Sequence, residues 1–217
     1  MELTRLGHAC VRLERDGARL VIDPGVWSAP DAAEGADAVL VTHEHVDHVD
    51  VGRLREALDA RSALEVWAPQ PVVDALCADA EHLRARVHAA AHGDVLDAGG
   101  FEVEVFGETH ALVHPDLPRI ANVAYLVGGV LHPGDSFTEP GRPVEVLLLP
   151  VAAPWLRLAD AVDYARAVAA RRVVPIHDAM LSDVGVGVVD RLLGPKALGA
   201  GGAEYVRPVD GEPLTVS

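Results

Sequence analysis

The chain has 217 residues, half of them hydrophobic, and a formal net charge of −15. That length suits one domain with a sizeable core, taken as residues 1–217. The acidity suits a polynucleotide partner poorly, because phosphates need a basic patch and the 17 arginines and single lysine, Lys196, are scattered.

The first segment alternates apolar and polar residues. Leu3–Leu6, Cys10–Leu13 and Arg19–Ile22 read as three strands, the last two joined by an Arg15-Asp16-Gly17 turn. Asp23-Pro24-Gly25 ends the third. A buried strand is predicted over Ala38–Thr42 and a helix over Asp50–Leu58, with Leu54, Ala57 and Leu58 on its apolar face. A strand at Leu64–Trp67 and a helix over Val72–Ala78 follow. Phe101–Phe106 alternates cleanly, and Asn122–Val127 with Val130–His132 reads as a hairpin around Gly128-Gly129. Val144–Leu149 reads as a buried strand, Leu158–Ala170 as an amphipathic helix and Arg172–Ile176 as a further strand. The expected architecture is α+β: a four-layer αβ/βα sandwich of two mixed sheets with outer helices.

The densest chemistry lies in His43-Glu44-His45-Val46-Asp47-His48, directly after the strand ending at Thr42. Imidazoles and carboxylates are ligands of zinc and similar ions. Four of them crowded at one strand end would each need a buried partner without a metal. His43 and His45 are two apart, so extended backbone points both the same way, towards one metal. Asp47 and His48, at the start of the following helix, would face a second. Three more strands end in residues of this type: Thr109-His110, Gly134-Asp135 and Ile176-His177. Loops beyond strand ends are where open α/β sheets place active sites.

This order, together with Gly7-His8-Ala9-Cys10, Ile22-Asp23-Pro24 and Pro175-Ile176-His177, resembles the metallo-β-lactamase superfamily. It is similar to the branch containing L-ascorbate-6-phosphate lactonase. The resemblance implies that His43, His45 and His110 hold one metal, that Asp47, His48 and His177 hold another, and that Asp135 bridges them. It implies two divalent ions, zinc first with manganese or iron(II) compatible. It further implies a hydrolase in which water or hydroxide between the ions attacks a small ester, lactone or phosphodiester. Asp47 and Asp135 are then the candidate catalytic carboxylates, Asp47 as a proton relay. The same ligand field would also serve a di-iron redox protein, with Glu44 or Glu108 as an added carboxylate, or a non-catalytic metal-containing binding protein.

Around these, Asp23 is a candidate partner for a ligand histidine. His114 competes with His110 or lines the pocket, Trp155 is a candidate pocket wall, and Asp178 adjoins a ligand. His8 is placed on a strand, near the site or as a core histidine, while His82, His88, His92 and His132 read as structural or surface residues. Tyr125 and Asn122 are placed where they could face the site, and Ser136 beside a ligand. Cys10 and Cys77 fit no metal or disulfide spacing and read as small buried residues. The apolar run Val146–Leu156, broken by Pro150 and Pro154, is too short to cross a bilayer, and Met1–Arg5 does not resemble a signal peptide. A cytoplasmic protein with a small-molecule substrate, no nucleic acid and no membrane partner is expected, with a homo-oligomer left open.

Overall fold

The computed structural model describes residues 1–216, and Ser217, the last of the expected domain, lies outside the described residues. In the first half the order is β1 Glu2–Arg5, β2 Val11–Arg15, β3 Ala18–Ile22, β4 Ala38–Leu40, α1 Val51–Ala60, β5 Glu65–Ala68 and α2 Gln70–Cys77. A 3₁₀ turn at Glu81–Arg86 and β6 Val87–Ala89 complete it. In the second half β7 Val95–Ala98, β8 Phe101–Phe106, β9 Ala124–Val127, β10 Val130–His132 and β11 Val146–Pro150 precede α3 Leu158–Val168. Then come β12 Arg172–Ile176, α4 Asp183–Leu193, β13 Glu204–Tyr205 and β14 Pro213–Thr215.

Two seven-stranded mixed sheets result, ordered β14-β1-β2-β3-β4-β5-β6 and β13-β12-β11-β10-β9-β8-β7. Period-2 patterning sorts the apolar side chains into three layers. Leu3, Leu13, Leu40, Phe101, Tyr125 and Leu148 meet between the sheets. Val39 and Val66 turn outwards onto Leu54, Leu58 and Leu76 of α1 and α2. Leu147 and Leu149 turn outwards onto Ala161 and Ala165 of α3 and Val189 of α4. The architecture is the four-layer αβ/βα sandwich. Among the described residues, no helix is long and apolar enough to cross a membrane.

Several elements were not anticipated. Four strands, β6, β7, β13 and β14, have only two to four residues each, too few to carry an alternation signal. β14 owes its place to β1 at the opposite end of the chain, with Leu3 paired to Leu214. Gly185 and Gly187 dilute the helix signal of α4, although Ser182 caps it by accepting from the Gly185 amide. The expected strand at Asn122 begins only at Ala124, because the Asn122 side chain is committed to the Asp135 loop.

The two sheets are stitched at one edge. The Val123 amide donates to Thr42 O at 3.0 Å, and the His177 amide to His8 O at 2.9 Å. Tyr125 donates its hydroxyl to Val41 O at 3.0 Å, which turns it into the inter-sheet core and away from the site. That edge is where β4, β8, β10 and β12 all end.

Candidate metal centre

The loop after β4 is folded by local backbone bonds. The His48 and Val49 amides both donate to His45 O, at 2.9 and 3.0 Å. Asp50 then caps α1 by accepting from the Arg53 amide at 3.1 Å. The preceding Asp23-Pro24-Gly25 turn passes so close that a β-carbon on Gly25 would lie 2.0 Å from Asp47 O. Gly134 has φ +59°, and a β-carbon there would lie 2.4 Å from Asn122 Oδ1 and 2.7 Å from Thr42 Cβ. Only glycine fits either position; Gly25 lets its turn pass against the Asp47 backbone, and Gly134 directly precedes Asp135.

The structure gathers the expected ligands into two adjacent groups, each with ligand atoms within 4.8 Å of one another. His43, His45, His110 and Asp135 form one; Asp47, His48 and His177 form the other, joined by His8. Asp135 faces both. Its Oδ1 lies 3.2 Å from the Nε2 atoms of His48 and His177, and its Oδ2 lies 3.3 Å from His110 Nε2.

These atoms pass a specific test for a metal. His48 Nε2, His110 Nε2, His177 Nε2 and Asp135 Oδ1 are buried with no aligned hydrogen-bond partner. Orphaned buried polar atoms are rare and destabilising, and four of them gathered at Asp135 in the two groups are what bound cations would satisfy. The opposite ring nitrogens are already engaged. His48 Nδ1 meets Asp23 Oδ2 at 2.6 Å, His110 Nδ1 meets Ala111 O at 2.6 Å, and His177 Nδ1 meets Ala152 O at 2.5 Å. An Nδ1–H donated to oxygen turns Nε2 towards the ion site, as a lone pair in the neutral ring and as an N–H in the protonated one. His43 Nε2 and His45 Nδ1 lie 3.1 Å apart, turned to a common point.

Asp23, fully buried, links the two groups. It accepts from the Thr42 amide and the Thr42 hydroxyl, each at 2.7 Å, as well as from His48. Because the Thr42 hydroxyl donates to Asp23, its lone pair receives His43 Nδ1–H, 3.0 Å away. One carboxylate therefore orients an imidazole of each group. Trp155 donates its indole N–H to Asp135 Oδ2 at 2.8 Å, so it holds the carboxylate as well as standing beside His110.

The other candidates fall elsewhere. His114 is exposed and takes the Asp116 amide on Nδ1, whereas His110 lies in the first group. Asp178 binds Arg5 at 3.0 Å and also Arg207, bracing the loop after His177 from outside. Ser136 turns back to Pro133 O. His132 accepts the Gly134 amide on Nδ1 and donates from Nε2 to Ala9 O, a structural role. Neither Glu44 nor Glu108 joins a group, so neither supplies the added carboxylate of the di-iron alternative.

His8 is a correction. It lies not in a strand but in a turn with φ 50°, one of three centre residues, with Asp23 (54°) and His177 (60°), in left-handed backbone. Such conformations are strained for non-glycine residues and concentrate at functional sites. The Ala179 amide donates to His8 Nδ1 at 3.3 Å. The ring proton is therefore on Nε2, which donates to Asp47 Oδ2 at 3.2 Å. Coordination through Nε2 would demand a proton on Nδ1, facing the Ala179 N–H. In this tautomer His8 positions Asp47 and presents no lone pair to the group. Its only sequence signal is a Gly-His pair ahead of a strand.

The two groups differ in charge. Burial pushes the His43 and His45 rings down, reinforced by neighbouring imidazoles. Burial also opposes protonation of His48 and His177, but carboxylates outweigh it. Asp135 and Asp23 hold His48 up to about 10, and Asp135 and Asp47 hold His177 up to about 9. Asp47 and Asp135 are held well below the usual carboxylate range, their own burial being overcome by these histidines.

The family model described as "Beta-lactamase superfamily domain" matches residues 2–177. The protein Rv0786c of Mycobacterium tuberculosis is 42% identical over 189 residues, covering 84% of this chain and 86% of that one. A UPF0173 metal-dependent hydrolase of Aeropyrum pernix is 30% identical over 203 residues, covering 81% of each. Among solved structures, Igni18, a metallo hydrolase from the archaeon Ignicoccus hospitalis, superposes with a TM-score of 0.73 at 21% identity, covering 98% of this chain and 97% of that one.

Proposed function

This chain belongs to the metallo-β-lactamase superfamily, and we propose that it is a dinuclear metal-dependent hydrolase of a small ester, lactone or phosphodiester. The observation that carries this reading is that buried His48, His110 and His177 Nε2 atoms without aligned partners flank Asp135 from two adjacent groups of potential ligands. Similarity to a relative named as a metal-dependent hydrolase supports it. Zinc suits this donor set of five histidines and two aspartates first, with manganese or iron(II) also compatible. Two such ions would supply a Lewis acid and a water acidic enough to react at neutral pH.

The chain's own residues do the rest. His43, His45 and His110 would hold one ion, and Asp47, His48 and His177 the other. Asp135 presents one oxygen to each and is fixed by the Trp155 indole and the Asn122-held backbone. Asp47 is ionised, partly open to solvent and pinned through Oδ2 by His8. That position, and not its basicity, is what would let it relay a proton towards the leaving oxygen. The site is proposed to act on small molecules, without nucleic acid or membrane, in the cytoplasm.

Elemental analysis of wild type and Asp135→Ala, beside hydrolysis of lactones and bis-aryl phosphodiesters, tests the reading. About two metals per chain in wild type, lost with activity in the variant, is expected. No metal in wild type after zinc or manganese is added would overturn the ligand assignment. An Asp47→Asn protein retaining both metals and full turnover would remove the proton relay.

A further inference from the structure

A cavity of about 220 Å³ opens beside the first group, with His45 and His110 in its lining. The loop 111–120 walls it. That loop is pinned at its base: the His110 amide donates to Ile120 O at 3.0 Å, the Ala111 amide donates to Asp135 O at 2.8 Å, and Thr109 bridges to Ala121. Beyond this base, Leu112, Val113 and Leu117 are 46, 38 and 53% exposed. Single exposed apolar residues are ordinary. Here three on one loop line the same cavity that the two imidazoles enter. Pockets with apolar walls and a few placed polar groups are the usual form of a ligand site.

Arg119 lines the same cavity. Among the described residues it has no carboxylate or hydrogen-bond partner. By contrast Arg5 and Arg207, near the outer side of the centre, are both tied to Asp178. In a chain of net charge −15, an unpaired cation beside the site is a local exception to a field that repels anions.

We propose that this cleft is the subsite for the acyl part of the substrate. It seats a short alkyl or single-ring aryl group against Leu112, Val113 and Leu117, and Arg119 pairs with a carboxylate on the same molecule. The volume lies below the roughly 300–1,000 Å³ of pockets that take drug-sized ligands, so the group is short. This rests on the hydrolase reading and deepens it: of the ester, lactone and phosphodiester classes, it selects an apolar carboxylic ester or lactone that also carries an anion. In the reaction the acyl carbon–oxygen bond breaks, and water gives its hydroxyl to the acyl carbon and its proton to the leaving oxygen.

The test uses the metal-loaded protein and four 4-nitrophenyl esters: acetate, butyrate, phenylacetate and the hydrogen glutarate. Wild type is expected to favour butyrate and phenylacetate over acetate by about tenfold in kcat/KM, the scale of seating a few extra methylenes. Leu117→Asp and Leu112→Ser should each reduce that preference to about twofold, with metal content unchanged. Arg119→Ala should lower kcat/KM for the hydrogen glutarate about tenfold more than for butyrate, mainly through KM. A wild type indifferent to the acyl group, or variants that slow all four esters alike, would overturn the subsite.

If two metals bind and neither these esters nor the lactones and bis-aryl phosphodiesters turn over, the hydrolase reading fails separately. The cleft is then judged by calorimetric titration with acetate, butyrate and phenylacetate. About tenfold tighter binding of the latter two, lost in Leu117→Asp, sustains an apolar subsite. Equal binding of all three removes it.

Discussion

The two halves of the centre use the same kinds of ligand in opposite electrostatic settings. In the first, His43 and His45 are surrounded by other imidazoles, and burial leaves them neutral. In the second, His48 and His177 are surrounded by Asp23, Asp47 and Asp135, which hold protons on them. The first half opens onto the apolar cleft through His45; the second is packed against His8 and Asp23, with Asp47 partly open to solvent. Ligand identity therefore does not fix how a site loads. The neighbouring carboxylates decide whether an incoming cation meets lone pairs or must first displace protons.

The largest expected effect comes from removing what the halves share. Asp135→Ala leaves His48, His110 and His177 without their common carboxylate. It should lower kcat by at least about 10²–10³, the scale of losing a group that touches the reacting atoms. It should also lower bound metal from both halves together. Loss from one half alone, read by elemental analysis against wild type, would show that the halves are independent.

The next effect is on pH. His48 and His177 have raised values, so both carry protons at pH 7 and must lose them to bind a metal. Affinity at the second half should climb by about tenfold per pH unit for each proton displaced and flatten above about pH 9–10. His43 and His45 are already neutral at pH 7, so those two rings contribute little slope at the first half. Zinc titrations at pH 6, 7.5 and 9, with proton release measured in buffers of different ionisation enthalpy, separate the two equivalents. Equal slopes would erase the contrast.

Asp23 sharpens it further. Asp23→Asn weakens a direct bond to His48 and, through the Thr42 hydroxyl, an indirect one to His43. Metal affinity should fall about 10–100-fold at the second half and less at the first. Thr42→Val should reverse that order, since it cuts the His43 link and leaves the Asp23–His48 bond. A competition titration with a chelator of known affinity reads both.

Much of this was legible in the sequence because each ligand follows an apolar run that had to be a buried strand. Val39–Thr42 before His43, Phe101–Phe106 before His110 and Arg172–Ile176 before His177 all carry this form. Two mixed sheets opening on one edge then bring those loops together. Asp23 was legible as an acidic residue closing a strand before proline. What could not be read depends on contacts between distant segments. β14 exists because residues at opposite ends of the chain pair. The cleft exists because loop 111–120 folds back onto His45, and nothing in Leu112, Val113 or Leu117 as a string marks a wall. Trp155 was placed near the pocket, but its bond to Asp135 arises from two different loops.

His8 is the smallest expected effect and the most diagnostic for the second half. As a ligand, it would take a metal with it when removed. As the donor to Asp47, it would leave the metals in place and disturb only how that carboxylate is aimed. The Ala179 amide on Nδ1 selects the second role. His8→Ala should keep about two metals per chain at saturating zinc and lower kcat about tenfold, the lower end of what a lost partner of a ligand does. KM should move little, because the cleft lies on the other half. His8→Gln, whose amide can donate from nearly the same place, should recover part of the loss. Any general destabilisation from the turn would not be repaired by glutamine, which is as strained at φ 50° as alanine. A His8→Ala protein with one metal per chain would instead make His8 a fourth ligand of the second half, and the tautomer argument would fall.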